Sequence, residues 1–301
     1  MGFLTRTTST SGTLTTPDGT HIPHRDRIPH RDHIPHRDHT PHRDHTPHRD
    51  HTPHRDHLPA GRPATRFLLL HGLAGHQGEW DTLAAQLSAD GHRVVTYDAR
   101  GHGAATRTPA TATREAHVQD AVALIEALDL APVTLLGQSL GGHTAMLLAA
   151  SHPQLVKELI LIEAGPAGPT PDLPARIATW LDSWPTPFTS LEDAEAFLGH
   201  EAWTRALVRR DDGWHPTWDR ATIVASVAEL ATTAYWEEWS RITCPTLLIQ
   251  GEHGTMRPEE PATMLAHRPR TQLVHVPDAA HDVHLDQPTR LHEAIAAFLR
   301  G

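Results

Sequence analysis

Val133-Thr134-Leu135-Leu136-Gly137-Gln138-Ser139-Leu140-Gly141-Gly142-His143-Thr144-Ala145-Met146-Leu147-Leu148 runs from an apolar stretch into an amphipathic one through a G-x-S-x-G pentapeptide. The pattern is that of a nucleophile elbow, with the serine at the apex of a strand-to-helix turn. So tight a turn folds the chain back within van der Waals reach of itself, and Gly137 and Gly141 leave the necessary space. The first amides of the following helix point toward the serine, where a developing oxyanion would be stabilised.

Strands and helices alternate on both sides of this point. Arg66–Leu70, Arg93–Tyr97, Leu159–Ile162, Pro245–Gln250 and Gln272–Val276 are short apolar runs of the kind that form buried parallel strands. Between them, 80–87, 114–128, 259–267 and 289–299 carry helical periodicity. Repeated βα units predict an α/β fold with a mainly parallel sheet and helices on both faces. From about 165 to 240 prolines interrupt the chain, strands are not expected, and seven of the eight tryptophans occur. This stretch reads as a helical cap inserted after the sixth strand. The expected organisation is a strand and turn over 1–20, a repeat over 21–60, core over 61–164, cap over 165–240 and core again over 241–301.

The repeat is six copies of a six-residue unit, from HIPHRD at His21 to HTPHRD ending at Asp56. A proline in every unit removes backbone donors at regular intervals, which argues against helix and interior strand alike. With few large apolar side chains it is expected to be an extended or disordered loop. One unit can complete a hairpin with Thr13–Thr20, the remainder being a passive expansion. Dense imidazoles make weak metal binding the functional alternative.

A serine hydroxyl needs a base to take its proton. His281, in the loop after the last strand, lies at the sheet edge where the elbow opens. His253, His275 and His284 are rivals, the first two expected to be structural and His284 to pack nearby. An acid must orient the imidazole, and two positions offer one: Glu163, directly beyond the sixth strand, and Glu252 after the penultimate strand. Glu163 is preferred, because its strand adjoins the elbow strand. The oxyanion would be held by the amides of Leu140 and Leu73. His71, Gly72, Gln138 and Trp184 are expected around the substrate, with His71 also bracing its turn.

These residues together resemble the α/β-hydrolase family, in its capped esterase and small-molecule hydrolase branch. The marks are His71-Gly72, Asp98-x-Arg100-Gly101-His102-Gly103, the elbow, and Ala280-His281 with Pro288 downstream. The order serine, acid, histidine is also the family's. Many members carry an aspartate where this chain has Gly254; others place the acid after the sixth strand before Gly-Pro, as Glu163-Ala164-Gly165-Pro166 does. The resemblance implies hydrolysis of a carboxylic ester or lactone of a small, apolar molecule through an acyl-enzyme, without cofactor or metal. Carbon–carbon bond hydrolysis, cofactor-free perhydrolysis, and non-catalytic ligand binding are the alternatives.

Composition narrows the partners. A formal charge of −10 with a single lysine, Lys157, argues against nucleic acid, which needs clustered cations. The lone cysteine, Cys244, excludes an internal disulfide and fits a reducing compartment. No apolar run approaches a signal peptide or a membrane span, so a cytoplasmic protein without membrane partner is expected. The sequence leaves substrate identity and oligomeric state open.

Overall fold

Side chains alternate across a strand, and in this chain both sets are apolar. Phe67 and Leu69 point to one face of β3 (Arg66–Leu70) and Leu68 and Leu70 to the other, all four fully or nearly fully buried. Such a strand can only be satisfied between two helical layers. The computed structural model, which describes residues 5–31, 65–166 and 168–301, supplies both.

In chain order the elements are β1 (Thr5–Thr15), β2 (His21–Arg31), β3, α1 (Asp81–Ala89), β4 (Arg93–Tyr97), α2 (Arg114–Ala127), β5 (Val133–Gln138), α3 (Ser139–Ser151) and β6 (Val156–Ile162). Then follow α4 (Leu173–Asp182), α5 (Leu191–Leu198), α6 (Glu201–Thr204), β7 (Leu207–Arg210), β8 (Gly213–Pro216), α7 (Arg220–Ser226) and α8 (Trp236–Arg241). The chain ends with β9 (Thr246–Gly251), α9 (Glu260–His267), β10 (Gln272–Val276), α10 (Val283–Asp286) and α11 (Pro288–Arg300). The main sheet has the order β1-β2-β4-β3-β5-β6-β9-β10 and is parallel from β4 onward.

One face packs Leu68, Leu135, Leu161 and Leu248 against Val118 and Ile125 of α2, Met146 of α3 and Trp239 of α8. The other packs Phe67, Ile160 and Ile249 against Leu83 and Leu87 of α1 and Leu291, Ile295 and Phe298 of α11. Each such side chain contributes about 1.5–3 kcal/mol relative to exposure. Parallel strands send all their exit loops to one edge. Strand order reverses between β3 and β5, and there the exits diverge to leave a crevice.

Two expectations are corrected. The segment between β6 and β9 is not free of strands: β7 and β8 form an antiparallel hairpin, and Phe188 bridges to Trp214 beside it. The first repeat unit completes the expected hairpin, but the strand runs on to Arg31 and lies inside the sheet, where a loop was expected. β2 is paired with β1 on one side and β4 on the other. The carbonyls of His21 and Pro23 accept from Thr106 N and Asp98 N, so odd-numbered residues of β2 turn their backbone groups toward β4. Pairing with β4 covers only His24 to Arg27. Pro23 and Pro29 therefore flank the paired stretch, where the missing proline donors cost at most a bond at its end. Ile22 enters the core, and the Asp26 carboxylate is held by Arg93 Nη2 at 2.7 Å. The rest of the repeat, and its possible metal chemistry, lies outside the described residues.

The fingerprint Asp98–Gly103 joins elements of the fold. Arg100 is buried against Asp120 of α2 (2.6 Å) and reaches Asp18 in the β1–β2 turn (2.9 Å). Asp98 accepts from Gln77 N, Gln77 Nε2 and Ala104 N. No described helix is long and apolar enough to cross a membrane.

Candidate active site

Ser139 follows β5 directly and has φ +51°, a conformation a β-carbon resists at a cost of about 1–2 kcal/mol. Close packing imposes it. A β-carbon at Gly137 would come within 2.5 Å of Gly141 O, and one at Gly141 would strike the carbonyls of Leu70 and His71. The turn thus lies against the exit of β3, which brings the 71–73 loop beside the serine.

Glu163 follows β6, also at positive φ (+49°), and its side chain is wholly buried. Burial of a carboxylate requires donors, and three backbone amides provide them. Gly251 N donates to Oε1 (2.8 Å), and Thr255 N and Met256 N donate to Oε2 (2.7 and 3.3 Å). All three belong to β9 and the loop after it. Across this loop His281 Nδ1 stands 3.6 Å from Glu163 Oε2 and 2.8 Å from Thr255 Oγ1. Nδ1 is the edge of the ring turned to the acid, which leaves Nε2 as the other.

Gly254 leaves the room that the Glu163 side chain fills. A β-carbon there would collide with Cδ and both oxygens of Glu163. The carboxylate occupies the volume that any side chain at 254 would need, so the two positions exclude each other. Glu252 faces away: exposed, it accepts from Asp278 N (2.9 Å) and lies 4.0 Å from His253.

Ser139, Glu163, His281, Leu73 and Leu140 line one cavity of about 220 Å³. Its wall is completed by apolar side chains, among them Ile177, Val227, Leu230 and Met256, and by Thr255, His143 and Glu260. The other four anticipated positions are placed elsewhere. His71 is buried, its Nε2 accepting from Ala99 N (3.0 Å) and its Nδ1 bonded to Gly72 O (2.8 Å). Burial lowers its pKa to about 4, so the ring is a neutral brace. Gly72 packs against the Gln138 amide. Gln138 Nε2 donates to His281 O (3.1 Å) and Asp282 Oδ1 (3.2 Å), tethering the histidine loop to the elbow.

Trp184 is the centre of a separate cluster with Leu181, Phe188, Trp218 and Ile223, its ring edge-on to five other aromatics including Trp203 and Trp218. Trp184, Trp203, Trp214 and Trp218 belong to this cluster and Trp236 and Trp239 to the sheet core, so none of them lines the cavity. The same segment grips the histidine loop through Trp203 Nε1 to Asp282 (3.2 Å) and His200 to Asp286 (2.8 Å). Of the rival histidines, His253 and His275 are exposed. His284 is buried on the Trp80 ring, 3.5 Å from Glu79.

Thr255, Met256, Glu260 and His143 were not anticipated. Only His143 carried a sequence signal, its i+4 spacing from Ser139 on α3, which sets both on one helix face. An imidazole and a serine lining one cavity supply the groups for proton transfer.

Residues 67–294 match the model of the alpha/beta hydrolase family, three quarters of the chain. The chain belongs to that family. Among relatives of this hydrolase, the mouse sn-1-specific diacylglycerol lipase ABHD11 is 28% identical over 252 residues, 77% of this chain and 80% of the lipase. A 2-hydroxy-6-oxononadienedioate/2-hydroxy-6-oxononatrienedioate hydrolase of Paraburkholderia xenovorans is 31% identical over 119 residues, 38% of this chain and 41% of that enzyme. The crystal structure of E-2-(acetamidomethylene)succinate hydrolase superposes with a TM-score of 0.76 at 19% identity, covering 98% of this chain and 100% of that one. The protein is therefore a hydrolase enzyme by family and by fold.

Proposed function

We propose that this enzyme cleaves an uncharged carboxylic ester or lactone through an acyl-serine. Ser139 Oγ attacks the acyl carbon and passes its proton to His281 Nε2. The amides of Leu140 and Leu73 hold the oxyanion, and Glu163 fixes the ring tautomer and stabilises the imidazolium. The alkoxide leaves with the proton from His281. Water then attacks the acyl-enzyme, His281 taking its proton, and the carboxylate departs with Ser139 restored.

One observation carries this reading: the buried Glu163 carboxylate, held by three amides and turned to His281 Nδ1 through the space Gly254 leaves open. A ligand-binding protein has no use for a glycine cleared around an acid that aims an imidazole. The 165–240 segment is the cap of this site, supported by its Ile177, Val227 and Leu230 in the cavity wall and by its bonds to the histidine loop.

Carbon–carbon hydrolysis is the second reading, supported by the partial match to the 2-hydroxy-6-oxo dioate hydrolase. Those named substrates carry two carboxylates. Among the described residues the cavity wall offers acidic Glu163 and Glu260 and no lysine or arginine, which favours an uncharged ester. A fluorophosphonate probe and a panel of p-nitrophenyl esters test the proposal. Labelling and turnover lost in Ser139→Ala are expected; an unlabelled wild-type Ser139 overturns it.

A further inference from the structure

The cavity wall contains a buried imidazole that nothing in the proposed reaction employs. His143 is 4% exposed, lines the cavity one helical turn after Ser139, and has no hydrogen-bond partner at either ring nitrogen among the described residues. Its ring stands edge-on to Tyr235, centroids 4.6 Å apart and planes at 83°, which fixes its orientation. Burial, reinforced by the Arg114 guanidinium, holds its pKa well below the usual imidazole value. The ring is therefore neutral across the physiological range, one nitrogen a donor and the other an acceptor.

Buried polar groups in folded proteins nearly always have partners, and an exception in a substrate cavity calls for one from the substrate. A carboxylate is disfavoured beside Glu163 and Glu260. A carbonyl serves only the N–H nitrogen, whereas a hydroxyl donates or accepts and serves whichever nitrogen it meets.

We propose that His143 is a specificity residue that binds a hydroxyl group of the substrate, a few bonds from the scissile carbonyl, so that the preferred substrates are hydroxylated apolar esters. The proposal rests on the ester-hydrolase reading and deepens it. A site built around a polar partner discriminates against the analogue lacking it, since that analogue leaves the buried group unpaired.

The test compares hexyl hexanoate with its counterparts hydroxylated at C2 of the alcohol and at C3 or C6 of the acyl chain. For at least one position kcat/KM is expected to exceed the parent's by about tenfold or more. In His143→Phe that ratio falls toward one, and in His143→Gln, which keeps a donor and an acceptor, part of it returns. Binding of the same esters to Ser139→Ala by calorimetry gives the ratio without chemistry. If wild type hydrolyses the parent ester but prefers no hydroxylated one by threefold, or if His143→Phe keeps the preference, the inference is overturned and the hydrolase reading stands. If no ester is hydrolysed, the hydrolase reading falls, and an absent preference in binding overturns the inference as well.

Discussion

Replacing Gly254 by alanine is the smallest change that tests how the acid is placed. Gly254 does not occupy the left-handed region, so an alanine backbone is tolerated and only the methyl matters. That methyl would sit well inside the roughly 3.5 Å that carbon and oxygen require from three atoms of Glu163. The carboxylate must withdraw by about 1 Å, breaking its short bonds from Gly251 and Thr255 and its alignment with His281. A displacement of that size in a catalytic array costs about 10²-fold, or about 2.7 kcal/mol of barrier. Glu163→Gln, which presents the wrong partner to Nδ1, is expected to cost more, about 10⁴-fold in kcat by analogy with serine triads. The assay is steady-state ester hydrolysis, with the melting temperature of each variant measured to separate catalysis from folding. Glu163→Gly combined with Gly254→Asp offers a carboxylate from the opposite side and should recover part of the loss. A Gly254→Ala enzyme within threefold of wild type in kcat refutes the reasoning, as does a Glu252→Gln enzyme as impaired as Glu163→Gln.

Acid should unfold the protein through its buried histidines. His71 and His102 have folded pKa values of about 4 and about 3, against 6.5 for the free side chain, both lowered mainly by burial. The unfolded chain gains protons that the folded one refuses, so stability is full above pH 6.5 and falls as pH drops toward 4. His71 alone accounts for about 3 kcal/mol of that loss; a urea midpoint that stays constant from pH 7 to 5 contradicts it. Asp120→Ala leaves the buried Arg100 guanidinium with Asp18 and Thr111 O as its partners and should lower unfolding free energy by about 2 kcal/mol, read by urea titration. Deleting the unit Arg27–Asp32 puts a histidine at the place of Arg27 and forfeits its bond to Asp81, costing about 1 kcal/mol or less in the same titration. Deleting one residue of β2 should cost several times more, because it turns Ile22 out of the core or Asp26 away from Arg93.

Strands of two-sided apolar character were legible because burial on both faces leaves a continuous signature: β3 and β4 have the bounds read from sequence, as does the edge strand β10, where only Val276 is buried. The placing of Ser139, Glu163 and His281 around one cavity was legible too, since Ser139 and Glu163 directly follow β5 and β6 and His281 lies in the loop after β10. The β7–β8 hairpin was not. Leu207–Arg210 has one buried residue out of four, so it carries no apolar run to read. Nor was β2, whose prolines look prohibitive until their phase against β4 is known. The cavity wall was the least legible part, because Met256, Ile177 and Leu230 come from three separated segments that only the fold assembles.

The repeat unit has six residues, and a strand repeats its facing every two. Adding or removing whole units therefore leaves the order of inward and outward side chains in β2 intact, whichever copies are threaded into the sheet. The units beginning at His21, Arg27 and His33 each carry isoleucine second, while the three later ones carry threonine. A chain that gains or loses a unit by replication slippage still offers the sheet a usable strand, with the surplus passed to the crossover before β3. The array is commensurate with the sheet, and length variation at this locus becomes nearly silent to the catalytic edge on the far side of the fold.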